Sequence, residues 1–412
     1  MSTQNDVLAK KLPLTKLNTL MNFRFLRALG CLAVIGLSIS AYGQDSTRFT
    51  FGGSVDTYFH SSFGTRNAYS LLSDGEGSYY GGYAPSSSFA DGHGFSLGMV
   101  NLIASYAGEK VGFTADLVFG PRGQAAVFGA ASGQAVVNQL FVYYKLSDAV
   151  TLNLGQFNTF LGYEVISPAV NFNYSTSYLF SYGPFNHTGL RADFDFGNGF
   201  VGKLAIMNPT DLVEFNPVNT YTAGLQVGKT TDAGGIWLNF LYGDQDGKLD
   251  ADVDPDGTVS AGTLFQADVT TGWNLSDVFY LGANASYQMV GEGERVAGNS
   301  INDLGNDNSS FAGIAIYPKV TLSESFALGL RAEYFSVKNS HLDIFGLDEN
   351  GDGNIMEFTL SGNYKFAGFT FIPELRVDVA SEDSFIKTKD LQNGSVDKSI
   401  MPTLNLAAVY KF

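Results

Sequence analysis

The chain has one cysteine, Cys31, and it lies at the start of an N-terminal apolar run. Once that segment is removed no thiol remains, which excludes disulfides and thiolate metal sites. Basic side chains are few. Removing residues 1–43 takes away five Lys/Arg and one acid, leaving 19 basic against 39 acidic groups and a net charge of −20. So acidic a surface argues against nucleic acid as a partner. No later stretch approaches the roughly eighteen uninterrupted apolar residues that a spanning helix needs, so a membrane protein of this sequence must cross as strands. Proline is scarce, 11 against 48 glycines, and only four histidines occur: His60, His93, His187 and His341. They form no HExxH pair, no Gly-x-Ser-x-Gly elbow is present, and no catalytic residue is expected.

What is present begins with an export signal. Met21 to Arg27 form a basic start, Ala28 to Ile39 an apolar run, and Ala41-Tyr42-Gly43 a small-residue cleavage site before Gln44. Residues 1–20 read either as an extended n-region or as the product of a start codon placed too early. Cys31 stands before the apolar run rather than after it, against a lipoprotein. Two segments follow: 1–43, a signal peptide with its extension, and 44–412, the mature protein.

In the mature segment, runs of about ten residues alternate with period two. Sixteen are expected: 47–59, 93–107, 110–120, 135–146, 149–158, 186–196, 199–208, 219–230, 234–243, 262–275, 277–290, 310–322, 325–338, 355–366, 368–379 and 400–412. Their connections alternate in length, seven short and eight long, which places both termini on the short-turn side. The expected fold is all-β: a transmembrane antiparallel up-and-down β-barrel of about sixteen strands, following a cleaved signal peptide. Tyr410 and Phe412 close the last strand, and a terminal aromatic there resembles the signal that outer-membrane barrels present to their assembly machinery. Pro318, Pro373 and Pro402 oppose the scheme, and bulges or strand ends are expected at them.

Charges fall on one face of each strand. A lipid-facing Arg or Lys near the midplane would cost about 2–4 kcal/mol, so Arg191, Asp193, Lys203, Arg331, Glu333, Glu374, Arg376 and Asp378 should face a polar lumen. There they either form opposed rows, Arg191, Arg331 and Arg376 facing Asp193, Glu333 and Glu374, or simply pair on the wall. Aromatics near strand ends, Tyr58, Tyr280, Tyr364 and Phe366 among them, suit interfacial girdles.

The third long loop, 159–185, with its flanks, is the most distinctive segment. Gly155-Gln156-Phe157, Gly162-Tyr163-Glu164, Asn171, Tyr174-Ser175, Ser181-Tyr182-Gly183-Pro184-Phe185 and His187-Thr188-Gly189 resemble the corresponding loop of the OmpL-like β-barrel porins. The resemblance implies a pore-forming outer-membrane barrel of Bacteroidetes type. Independently, a loop so rich in aromatics is too apolar for water. It should either fold into the lumen, with Tyr163, Glu164, Tyr178 and Tyr182 at a constriction, or brace the rim.

Asp252, Asp254 and Asp256, and again Asp348, Asn350 and Asp352, have the spacing of calcium loops with glycine at the sixth position. Thr263 and Thr359 stand where a bidentate glutamate should be. Calcium in extracellular loops and plain solvated tips therefore both remain, and no cofactor is required. The expected function is passive diffusion of small hydrophilic solutes and ions. A closed, surface-binding barrel and a sugar- or peptide-specific channel are the alternatives. Expected partners are outer-membrane lipid and lipopolysaccharide, the assembly machinery, and further copies in a homo-oligomer.

Overall fold

A computed structural model describes residues 48–73, 79–127, 136–247, 262–296, 300–301, 307–387 and 395–412. The first strands are β1 (Phe49–Ser62), β2 (Thr65–Ser73), β3 (Tyr79–Gly82), β4 (Gly94–Ala107), β5 (Val111–Phe119), β6 (Val137–Ser147) and β7 (Val150–Asn158). Next come β8 (Asn186–Gly197), β9 (Phe200–Met207), β10 (Thr222–Thr231), β11 (Gly234–Gly243), β12 (Leu264–Asn274), β13 (Phe279–Val290), β14 (Arg295–Val296) and β15 (Ser300–Ile301). The last are β16 (Ser309–Ser323), β17 (Phe326–Lys338), β18 (Gly353–Phe366), β19 (Phe369–Ala380), β20 (Phe385–Lys387), β21 (Val396–Lys398) and β22 (Ile400–Lys411). Among the described residues two short helices, α1 (Pro121–Ala126) and α2 (Tyr178–Ser181), lie in loops.

Sixteen strands close one antiparallel barrel, β1-β22-β19-β18-β17-β16-β13-β12-β11-β10-β9-β8-β7-β6-β5-β4. Every strand but the seam pair neighbours its barrel predecessor, so the topology is up-and-down. The seam joins β1 to β22, running from Ser54↔Lys411 to Ser62↔Thr403. Outside the barrel, β2, β3, β20 and β21 form a small sheet that ties the first long loop to the last.

The alternation has the expected cause. Along β18, Met356, Phe358 and Leu360 are exposed on the lipid side while Glu357, Thr359 and Ser361 are buried inside. Leu190, Leu204, Ile206, Val227 and Leu238 continue the outward aliphatic band. Short turns use left-handed residues, Gly197-Asn198-Gly199 and Ala367-Gly368, as tight hairpins between twisted strands require. Among the described residues no helix is long and apolar enough to cross a membrane.

Three expectations are corrected. Pro318 and Pro373 mark neither bulges nor strand ends. The β16–β17 ladder skips from Ile316↔Ala332 to Lys319↔Gly329, and the β18–β19 ladder from Ser361↔Glu374 to Tyr364↔Phe371, in unchanged register. A missing N–H thus removes pairs without shifting the strands; the shift in β16 comes later, between Thr321 and Ser323. Pro402 does lie just past the last β1–β22 pair. Tyr58 and Tyr280 belong to no girdle, because both rings turn inward: Tyr58 meets Tyr174, and the Tyr280 hydroxyl meets Tyr163. Finally, the inner wall is not polar throughout. At the long-loop end Phe157, Met207, Leu241, Phe311 and Phe335 form an apolar seat with Leu161, Tyr178 and Leu179 of the third long loop.

Candidate functional site: the third long loop and the inner wall

The third long loop, 159–185, is pinned at its base by the Thr159 N–H on the Phe185 carbonyl, 2.9 Å. From there it crosses the inside of the barrel, touching inward residues on both sides. On one side the Gly162 N–H donates to Asp268 of β12 (3.1 Å), Gln226 of β10 donates to the Phe160 carbonyl (3.0 Å), and the Tyr163 hydroxyl donates to that of Tyr280 on β13 (2.9 Å). Asp268 also accepts from Asn239 and Asn284 (2.8 and 2.6 Å), so the wall around it is a closed hydrogen-bond cluster.

On the other side the wall grips the loop's backbone. Glu374 of β19 accepts the N–H groups of Tyr174 and Ser175, at 2.7 and 3.0 Å. Glu333 of β17 accepts those of Tyr178 and Leu179, both at 2.7 Å. The latter pair opens α2, where the first N–H groups of a helix have no internal partner. Ser177 caps the same turn by accepting from Phe180, and Glu164, inside the loop, accepts from the Ser177 N–H at 2.8 Å. Backbone carbonyls are met by cations: Arg331 donates to Ser175 O at 2.6 Å and Arg376 to Thr176 O at 2.7 Å. Arg122 of α1, in the second long loop, donates to the carbonyls of Ile166 and Tyr174, both at 2.9 Å.

The charges compensate one another beneath the loop. Arg331 pairs with Glu357 (2.8 Å) and Glu164 (2.7 Å), and Arg376 with Asp378 (2.7 Å), all essentially without exposure. Tyr174 donates to Asp56 (2.6 Å) and Tyr178 to Asp378 (3.1 Å). The expected opposition of Arg331 to Glu333 and of Arg376 to Glu374 is therefore corrected. Those two glutamates serve the loop's amides, while the arginines take Glu357 and Asp378. Arg191, Asp193 and Lys203 stand apart. Arg191 pairs with Asp193 on its own strand at 2.8 Å, lies over the Phe157 ring, and both partners keep some exposure, 12% and 30%. Lys203 sits opposite Asp193 in the β8–β9 register.

Sequence reasoning missed Glu357, Asp56, Arg122 and Asp268 as parts of this site. Asp56, Asp268 and Arg122 meet loop residues far away in sequence, and Glu357 joins the site through Arg331 of the neighbouring strand. Wall glycines were missed as well. A Cβ on Gly282 would lie 2.5 Å from the Tyr163 hydroxyl, one on Gly329 2.3 Å from the Phe172 ring, and one on Gly313 2.8 Å from Leu179. These glycines are sockets for the loop's side chains.

Tyr182 donates to the Ser86 carbonyl of the first long loop at 3.1 Å. Tyr410 and Phe412 lie outward at the end of β22, partly exposed. Asp252, Asp254 and Asp256 lie outside the described residues. Asp348 accepts the N–H groups of Asn350 and Asp352 at 2.8 and 2.9 Å, and Asp352 pairs with Lys338 at 2.5 Å, so a cation there would compete with the loop's own donors. A separate trio, Asp244, Asp246 and Glu294, converges in the fifth and sixth long loops. Burial pushes the Glu294 carboxyl up to about 8 against the N–H groups of Arg295 and Gln245. Burial likewise pushes Asp211 up to about 7, and lowers His341 to about 4.

A family model described as putative beta-barrel porin-2, OmpL-like, matches residues 48–412. No curated protein matches the chain by sequence. Among solved structures, the outer membrane channel DcaP of Acinetobacter baumannii superposes with a TM-score of 0.56 at 12% identity, over 89% of this chain and 99% of that one. A loop L8 deletion mutant of OmpT, an outer membrane protein of Vibrio cholerae, does so with a TM-score of 0.52 at 14% identity, over 88% of this chain and 99% of that one. At such identities the likeness is one of fold.

Proposed function

Because the chain belongs to the OmpL-like beta-barrel porin-2 family, we propose that it is an outer-membrane porin for passive diffusion of small hydrophilic solutes and ions, narrowed by the third long loop. The observation that carries this reading is the grip of Glu333 and Glu374 on the loop's amides inside the barrel. An aromatic loop fixed there reduces the free cross-section of a sixteen-stranded barrel, a size otherwise wide enough for an aqueous channel. Arg191, Asp193 and Lys203, on wall the loop leaves open, would set ion preference. The chain acts by admission rather than catalysis, after export and removal of residues 1–43.

The test is single-channel conductance of the purified, folded protein in a planar bilayer. Discrete steps are expected, and deleting residues 165–180 should enlarge them; unchanged conductance would sink the constriction. A second reading, a closed barrel that binds at the surface, is favoured by one observation. Inward residues such as Asn239, Thr359 and Ser361 have no exposure at all. Electrical silence from folded protein would select it.

A further inference from the structure

On the short-turn side of the third long loop a cavity of about 370 Å³ opens between loop and wall. Tyr163, Asn171 and Phe172 line it from the loop, Tyr280, Tyr317 and Lys319 from β13 and β16. Its volume falls in the range of small-molecule sites, which begins at about 300 Å³.

The lining has two chemical parts. Tyr163 and Tyr317 stack with ring centroids 4.1 Å apart, and the sockets at Gly282 and Gly329 seat Tyr163 and Phe172 close against the wall. Tyr163, Phe172 and Tyr280 all keep partial exposure. The second part is a cation. The Lys319 ammonium stands 4.6 Å from the Tyr280 ring centroid and 5.9 Å from that of Phe172. It makes no ion pair with the described residues. Glu164 also borders the cavity, but its oxygens are taken by Arg331 and the Ser177 N–H, so it does not neutralise Lys319. Arg331 and Arg376 beneath the loop each have a carboxylate; Lys319 has aromatic faces instead.

We propose that this cavity is a subsite for an anionic carbohydrate, the sugar ring against the partly exposed rings of Tyr163, Phe172 and Tyr280 and the acidic group on the Lys319 ammonium. Ring faces suit the C–H surface of a sugar, and an ammonium without a carboxylate is a donor set for an anion. The inference rests on the porin reading in naming which solutes such a pore would favour, yet the cavity itself can be tested without conduction.

D-glucuronate is the probe, with glucose as the ring without charge and D-gluconate as the charge without the ring. Glucuronate should block ion current saturably and more strongly than either control. Lys319→Gln should raise its half-blocking concentration about tenfold, the loss of one charged hydrogen bond. Phe172→Leu should weaken the block while leaving gluconate unaffected. Saturation-transfer NMR on the same folded protein gives an independent readout, and heat-modifiable gel migration checks each variant's fold. Binding that depends on Lys319 in an electrically silent protein would uphold the subsite and overturn the porin reading. Clear channels with neither block nor binding would overturn the subsite and leave the porin reading standing. Equal block by all three probes would overturn recognition of ring and charge together.

Discussion

Two stretches of the same inner wall treat their charges in opposite ways. On β17–β19 the arginines and acids lie beneath the third long loop, have almost no exposure, and are saturated by one another and by the loop's backbone. On β8 and β9, Arg191, Asp193 and Lys203 make no hydrogen bond to loop backbone among the described residues and keep contact with solvent. Equal residue types on equal strand faces thus do different jobs. The covered charges are anchors whose net worth depends on complete pairing, whereas on the proposed porin reading the uncovered ones face the ions that pass.

The sharpest way to break this contrast is Arg331→Ala. It would leave Glu164 buried without its cation and Glu357 with Arg376 at 3.7 Å in place of its closer partner, a loss of about 3–5 kcal/mol for a broken buried pair. A markedly lowered urea midpoint is expected, and a midpoint like that of the parent would show that the pair is not structural. Next in size comes Gly282→Leu, which drives a side chain into the place of Tyr163. Overpacking of this kind costs about 1–3 kcal/mol, and it should either displace the loop, seen as larger or noisier conductance, or destabilise the barrel. On the uncovered wall, Arg191→Gln with Asp193→Asn should change stability by less than about 1 kcal/mol, as partly exposed pairs do, while shifting the reversal potential in a salt gradient. A large stability loss there would erase the distinction between the two walls.

Glu294 supplies a control outside both walls. Its carboxyl is raised to about 8 in the fold, so between the ordinary glutamate range and about pH 8 the folded state holds a proton that the unfolded state has released. Its contribution favours folding at low pH and is lost as pH rises through that window. Amide exchange around residues 291–296 should therefore show stronger protection at pH 5 than at pH 8.5, after correction for intrinsic rates, and Glu294→Gln should flatten the difference.

The strands were legible because each has to satisfy lipid on one side and a filled or wet interior on the other. That demand writes period two into residues such as Met356 to Leu360 and sorts the loops by length. Tyr58 shows where the same signal was available but overridden: it stands two residues from Asp56, hence on the inward face, yet its place in a strand read as girdle. The anchoring network was not legible, since the partners of Glu333 and Glu374 are main-chain amides from a loop far away in sequence. Side-chain pattern carries no mark of a backbone donor. Arg331 choosing Glu357 over Glu333 likewise depends on which carboxylate the loop has already claimed.

Gly282, Gly313 and Gly329 have a consequence for engineering. Together they make the wall a mould, with hollows cast to the outline of Tyr163, Leu179 and Phe172. A loop grafted from another barrel would meet hollows of the wrong outline, and this loop moved elsewhere would meet methyl groups where it needs bare backbone. Exchanging pores between such proteins is therefore a transplant of loop and wall glycines together.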